Sequence, residues 1–219
     1  MVFSNRTEAG RLLAKSLARY AKRNDVVVLG IPRGGVPVAR EVAECLQAPL
    51  DIFVLRKLGV PGHEELAFGA IASGGVRFLD AEIIEGLGIS DAAIELITER
   101  ERKELERREA AYRGTRPPLR LEGRTVIVVD DGIATGSSMK AGIKALRELK
   151  PARLVIAVPV APASTCERLR PEVDELVCIA MPKFFYAVGQ YYQDFSQISD
   201  EDVTELLTTG RREAARNVA

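Results

Sequence analysis

The run Val126-Ile127-Val128-Val129-Asp130-Asp131-Gly132-Ile133-Ala134-Thr135-Gly136-Ser137-Ser138 constrains what this chain can fold into more than any other stretch. Four β-branched residues in succession have no polar face, so they predict a strand covered on both sides, as in a parallel sheet. Two carboxylates follow at its carboxyl end, and a small, hydroxyl-rich turn leads into a helix expected from about Met139 to Leu149. Backbone N–H groups left unpaired at a helix start converge on anionic oxygens, and the hydroxyls of Thr135, Ser137 and Ser138 add donors, so the turn suits a phosphate. Asp130 and Asp131 would repel that phosphate at contact. They can instead accept hydrogen bonds from vicinal ribose hydroxyls or hold a magnesium ion. The turn lacks the Gly-Lys-Ser/Thr ending of a P-loop and the Gly-x-Gly-x-x-Gly spacing of a dinucleotide site, which weakens both rivals. The plain alternative is an ordinary strand, turn and helix with a solvated Asp pair.

The rest of the chain alternates strand and helix patterns around this run. A helix is expected from about Arg6 to Lys22, with Asn5 as its cap, followed by a strand at Val26 to Leu29 and a helix at Val36 to Leu46. Strands follow at Asp51 to Leu55, Ala67 to Ala72 and Val76 to Leu79. After the signature helix come a strand at Leu154 to Val158, a short helix at Ser164 to Arg170 and a last strand at Glu175 to Ala180. The pattern predicts an α/β fold with a mostly parallel twisted sheet flanked by helices, in a single domain over residues 1–219. Residues 82–113 read as a helical insertion interrupted by Gly86, Leu87 and Gly88. Its second part pairs Glu99 with Lys103, Glu104 with Arg108 and Glu109 with Arg113 in the favourable i,i+4 order. Only the sparse apolar stripe Ile94, Ile97, Leu105 and Tyr112 faces inward, so the helix is expected to protrude as a cover or a homodimer contact. Residues 211–219 are polar and expected to fray.

Composition excludes several classes of partner. Lys plus Arg and Asp plus Glu both number 31, leaving no positive field to draw the chain onto nucleic acid or an anionic membrane. No apolar stretch is long enough to span a bilayer, and the charged amphipathic segment Met1 to Asp25 has no apolar core, so a cytoplasmic protein is expected. Cys45, Cys166 and Cys178 are far apart with no CxxC pair, so buried reduced thiols are expected rather than disulfides or a zinc site.

The strand, the Asp130-Asp131 pair and Ala134-Thr135-Gly136 together resemble the signature of the type I phosphoribosyltransferases, which bind 5-phosphoribosyl 1-pyrophosphate (PRPP). The resemblance implies that fold, a magnesium cofactor, and transfer of the phosphoribosyl group to a small heterocyclic base with release of pyrophosphate. It gives the ribose and the metal to Asp130 and Asp131, and the 5-phosphate to Ala134, Thr135, Gly136, Ser137 and Ser138. Gly132 stands where the family more often has an aliphatic residue, which predicts a looser turn. The loop Gly30-Ile31-Pro32-Arg33-Gly34-Gly35 after the first strand matches the family's pyrophosphate loop, often built on a non-proline cis peptide, and this brings in Arg33, Gly34 and Gly35. The stretch Arg56 to Leu66 is similar to its flexible catalytic loop, making Lys57 the expected pyrophosphate contact on a mobile lid. His63, the only histidine, is expected to be solvated.

Residues 181–198 resemble the base-binding hood of purine enzymes, and residues 181–195 hold six of the twelve aromatic rings. This implies base contacts from Phe184, Phe185 and Val188, and a metal role for Asp194, although Gly189 to Asp194 is one residue longer than in hypoxanthine-guanine enzymes. An aromatic dimer or core contact explains the segment equally well. Ala134 replaces the Asp that those enzymes use toward the purine N7, and Pro159-Val160-Ala161-Pro162 offers no lysine for a 6-oxo group, so adenine or an unusual heterocycle remains. The same resemblance leaves open a regulatory protein that binds PRPP without chemistry, and a purely structural protein would bind no ligand at all.

Overall fold

A computed structural model of the chain describes residues 1–114, 117–118 and 120–216. Its centre is a parallel five-stranded sheet in the order β2-β1-β6-β7-β8, formed by β1 (Val26–Gly30), β2 (Leu50–Ile52), β6 (Thr125–Val129), β7 (Arg153–Val160) and β8 (Glu175–Ala180). Helices cover both faces, so β1 and β6 are buried along their whole length and carry no polar alternation. Val26, Val28, Ile127 and Val129 face one side, with residues of α1 (Arg6–Ser16), α2 (Gly35–Leu46), α4 (Asp91–Arg113) and α7 (Asp200–Arg216). Val27, Leu29, Val126 and Val128 face the other, with residues of α5 (Ser137–Glu148) and α6 (Ala163–Leu169). β1 has β2 on one side and β6 on the other, and the register pairs Gly30 with Val129. The two loops leaving these strands therefore start side by side, at the point where the strand order reverses, which is where open α/β sheets form a ligand crevice.

A second, antiparallel sheet in the order β3-β4-β5 comprises β3 (Leu55–Val60), β4 (His63–Ala72) and β5 (Val76–Leu79), and packs against α5. This corrects the expected loop conformation: residues 56–66 form two paired strands, and only Pro61 and Gly62 form the turn, Gly62 at φ +77°. Leu58 and Val60 supply the buried face of β3, while irregular register at Leu58/Gly59 and Gly59/Val60 blurs the alternation that would have revealed a strand.

Asn5 caps α1 as expected, accepting from Glu8 N at 2.9 Å, but the helix ends at Ser16 instead of running to Lys22. The helical insertion consists of α3 (Ala81–Leu87) and α4. All three expected ion pairs of α4 form, at 3.9 Å for Glu99 with Lys103, 2.7 Å for Glu104 with Arg108 and 2.8 Å for Glu109 with Arg113. The helix does not protrude, however. It lies across β3, β4 and α7, burying Ile94, Leu105 and Tyr112, and its Arg113 forms a buried pair with Asp51 at 3.1 Å. α7 runs to Arg216, and residues 217–219 lie outside the described ones. Cys166 is buried and Cys178 half-buried, whereas Cys45 is exposed, contrary to expectation, and all three are free thiols. Among the described residues no helix is long and apolar enough to cross a membrane.

Candidate active site

The loop of residues 31–34 after β1 and residues 130–136 after β6 meet at the switch point. Ile31 N donates to the Val129 carbonyl at 2.9 Å, and the Pro32-Arg33 peptide is cis. Gly34 and Gly35 lie against the acidic pair so closely that neither tolerates a side chain. A Cβ on Gly34 would collide with Asp131 Oδ2, and one on Gly35 would come within 2.7 Å of the Val129 carbonyl oxygen and 2.8 Å of Asp130 Cα. Both glycines are thus required for room. Arg33 turns toward the start of α7, its Nη1 3.9 Å from Asp200 Oδ1, which also accepts from the Tyr112 hydroxyl at 2.8 Å. Burial and that carboxylate push Tyr112 up to about 12.

Asp130 is half-buried and Asp131 buried. Burial and the neighbouring Asp131 raise Asp130 well above the usual carboxylate range, and burial raises Asp131 against the opposing pull of Arg6. Two carboxyls at elevated pKa resist holding two negative charges, and cationic or hydroxyl donors arriving from a ligand would relieve that. Asp130 Oδ1 accepts from Asp131 N at 2.9 Å. Asp131 Oδ2 accepts from Arg6 Nε at 2.8 Å, and its carbonyl accepts from the Tyr192 hydroxyl at 2.6 Å.

The turn that follows opens a helix and carries exposed hydroxyls. Gly136 caps α5 in the left-handed region at φ +77°, where its missing Cβ also spares a 2.8 Å contact with Thr165. Ala134, Thr135, Ser137 and Ser138 are exposed at the helix start, with the Thr135 and Ser137 hydroxyls 3.3 Å apart. Support comes from α6: the Thr165 hydroxyl donates to the Ala134 carbonyl at 2.8 Å, and Arg168 Nη2 donates to the Thr135 carbonyl at 3.1 Å. Thr165→Val is expected to cost about 1 kcal/mol of stability, because the Ala134 carbonyl loses its donor, and thermal melting checks this.

Gly132 is close-packed. A Cβ there would meet Val188 Cγ1 at 2.6 Å, so the glycine makes room for the 181–196 segment to close over the loop. Val188 is thereby seated on the site. Phe185 stacks on Tyr191 with centroids 5.4 Å apart, while Phe184 remains 78% exposed. Asp194 is exposed and accepts from Ser196 N at 3.0 Å, a bond that lowers its pKa. Among the described residues no three or more His, Cys, Asp or Glu side chains converge as a metal site. Lys57 lies on β3, where its neighbour Arg56 pairs with Glu101 of α4. His63 is exposed in β4. The structure thus brings together Gly34, Gly35, Asp130, Asp131 and Val188 around the 130–138 segment, and adds Arg6, Thr165, Arg168 and Tyr192, which the sequence reading missed.

A mostly parallel central sheet flanked by helices, with an acidic pair and a Thr-Gly-Ser-Ser turn at its switch point and a small antiparallel sheet beside it, is the type I phosphoribosyltransferase fold. The family model of the phosphoribosyl transferase domain matches residues 4–196, and the chain belongs to that family. It is 46% identical over 214 residues to a Mycobacterium tuberculosis protein provisionally named a phosphoribosyl transferase. That match takes in 98% of this chain and 48% of the relative, so the chain spans about half the length of the curated relatives it matches. Among solved structures it is similar to the protein TT1426 from Thermus thermophilus, with a TM-score of 0.87 at 42% identity over 95% of this chain and 99% of that one. A hypothetical protein from Neisseria gonorrhoeae, solved with bound ppGpp, shares the fold alone, at a TM-score of 0.50 and 15% identity over 96% of this chain and 99% of that one.

Proposed function

We propose that the chain transfers the 5-phosphoribosyl group of PRPP to a nitrogenous base and releases pyrophosphate, in a magnesium-dependent reaction. The observation that carries this reading is one acidic pair, Asp130 and Asp131, with the glycine loop 33–35 packed against it and the hydroxyl-rich turn 134–138 directly after it. Such an arrangement can hold a phosphate at one end, a ribose in the middle and a pyrophosphate at the other. The hydroxyls and amides of Thr135, Gly136, Ser137 and Ser138 would hold the 5-phosphate. Asp130 and Asp131 would accept from the ribose hydroxyls and favour positive charge developing at C1. The backbone around Gly34 and Gly35, with Arg33 released from Asp200 and Lys57 from the small sheet, would neutralise the departing pyrophosphate.

The donor set fits magnesium: oxygen ligands only, from two adjacent carboxylates at the mouth of the 134–138 turn. This metal usually takes one or two carboxylates together with substrate phosphates. Bound there through Asp131, with Asp194 a second candidate, it would supply charge neutralisation of the leaving group. Phe184, Phe185 and Val188 remain the candidates for stacking the base.

One observation favours a second reading, a non-catalytic PRPP sensor. Ala134 supplies no general base at the turn, and its carbonyl is tied to Thr165. The deciding experiment follows pyrophosphate release from PRPP and magnesium with a panel of nucleobases. Release that depends on one base is the expected result and names the acceptor; saturable PRPP binding without release would replace the transferase with the sensor.

A further inference from the structure

We propose that Arg6 is a positioning residue that orients Asp131 toward the ribose and ties the 181–196 segment to it; this deepens, and rests on, the PRPP reading. The Arg6 side chain is only 10% exposed and is engaged on three sides. Nε donates to Asp131 Oδ2 at 2.8 Å, Nη1 donates to the Ser196 carbonyl at 2.9 Å, and the guanidinium carbon lies 3.9 Å from the centroid of the Phe195 ring. The Tyr192 hydroxyl reinforces the junction from the same segment, donating to the Asp131 carbonyl at 2.6 Å. Tyr192 in turn packs between Phe3 and Phe195, with centroids at 5.4 and 5.1 Å.

A planar guanidinium serves this place because it can hold two acceptors in fixed directions while its face rests on an aromatic ring, which a lysine ammonium cannot do. By binding Oδ2 it fixes the rotation of the carboxylate and leaves Oδ1 for a ribose hydroxyl. It also cancels one of two adjacent negative charges where a polyanion has to approach. The cover over the phosphate turn and the carboxylate beneath it are therefore one mechanical unit, joined at Arg6.

The test measures two things in Arg6→Ala and Arg6→Lys: the dissociation constant for PRPP with magnesium, and hydrogen–deuterium exchange of amides 192–196 in the ligand-free protein. Both variants are expected to bind PRPP about tenfold more weakly and to exchange faster in that segment, because lysine restores the charge but not the bridge. Arg6→Lys also serves if Arg6→Ala folds poorly. Wild-type binding by Arg6→Lys would overturn the proposal, as would unchanged exchange of amides 192–196 in a folded Arg6→Ala. A wild-type protein that binds no PRPP would instead sink the functional reading, and with it the ligand-positioning role of Arg6.

Discussion

Asp131→Asn is expected to fold and to bind PRPP in the presence of magnesium about a hundredfold more weakly than wild type. The substitution keeps the shape of the side chain, and its amide oxygen can still accept from Arg6 Nε, where the carboxylate now accepts at 2.8 Å. What it removes is the charge. The buried guanidinium then faces a neutral partner, so thermal stability should fall as well, by about 1–3 kcal/mol. Asp131→Ala goes further and strands Arg6, for which about 3–5 kcal/mol is expected. Calorimetric titration with PRPP, paired with thermal melting of both variants, separates loss of the site from loss of the fold. Asp131→Asn binding as tightly as wild type would remove Asp131 from the site.

Gly35→Ala is expected to damage the fold itself. Its new methyl would sit 2.7 Å from the Val129 carbonyl oxygen and 2.8 Å from Asp130 Cα, both backbone atoms of or beside the central strand β6, which cannot move without disturbing its neighbours. The cost should reach about 3 kcal/mol, a melting shift on the order of 10 °C for a chain of this length. Gly34→Ala makes the instructive contrast. Its methyl meets the end of the Asp131 side chain rather than backbone, so it should turn that carboxylate away from Arg6, abolish PRPP binding and strand Arg6 at a cost like that of Asp131→Ala. Equal melting temperatures for Gly35→Ala and wild type would show that the loop recoils from β6 without penalty.

The parts of the fold legible in the sequence are those whose physics is local. Val126 to Val129 read as a covered strand because every one of its side chains is fully buried. The ion pairs of α4 were legible for the same reason, since they join residues four apart on one helix. β3 was not. Its charges Arg56 and Lys57, together with Gly59, Pro61 and Gly62, carry the composition of a loop, and the strand exists because Leu58 and Val60 join the core and Arg56 finds Glu101 on a helix distant in sequence. The burial of α4 likewise depends on α7 and on Asp51, which no periodicity within α4 announces.

In the candidate site, the acidic pair and the two loops were visible as motifs, but their supports were not. Arg6 did leave one trace: a cation in the first turn of a helix opposes the helix dipole, so a basic residue directly after the Asn5 cap calls for a partner elsewhere. Gly132 left a trace as well, but its reason is Val188, far along the chain. Thr165 and Arg168 left none, because a threonine and an arginine on a surface helix are unremarkable until the turn they hold is seen.

The bonds that Arg6 makes to Asp131 and Ser196 span 125 and 190 residues. On the ribosome, all five strands of the parallel sheet leave the tunnel before residues 192–196 do. A nascent chain therefore owns its 134–138 turn and its acidic pair well before it owns the segment that closes over them, and a copy that stops short of residue 192 keeps the crevice but lacks the Tyr192 hydroxyl and the Ser196 carbonyl that tie the cover to it.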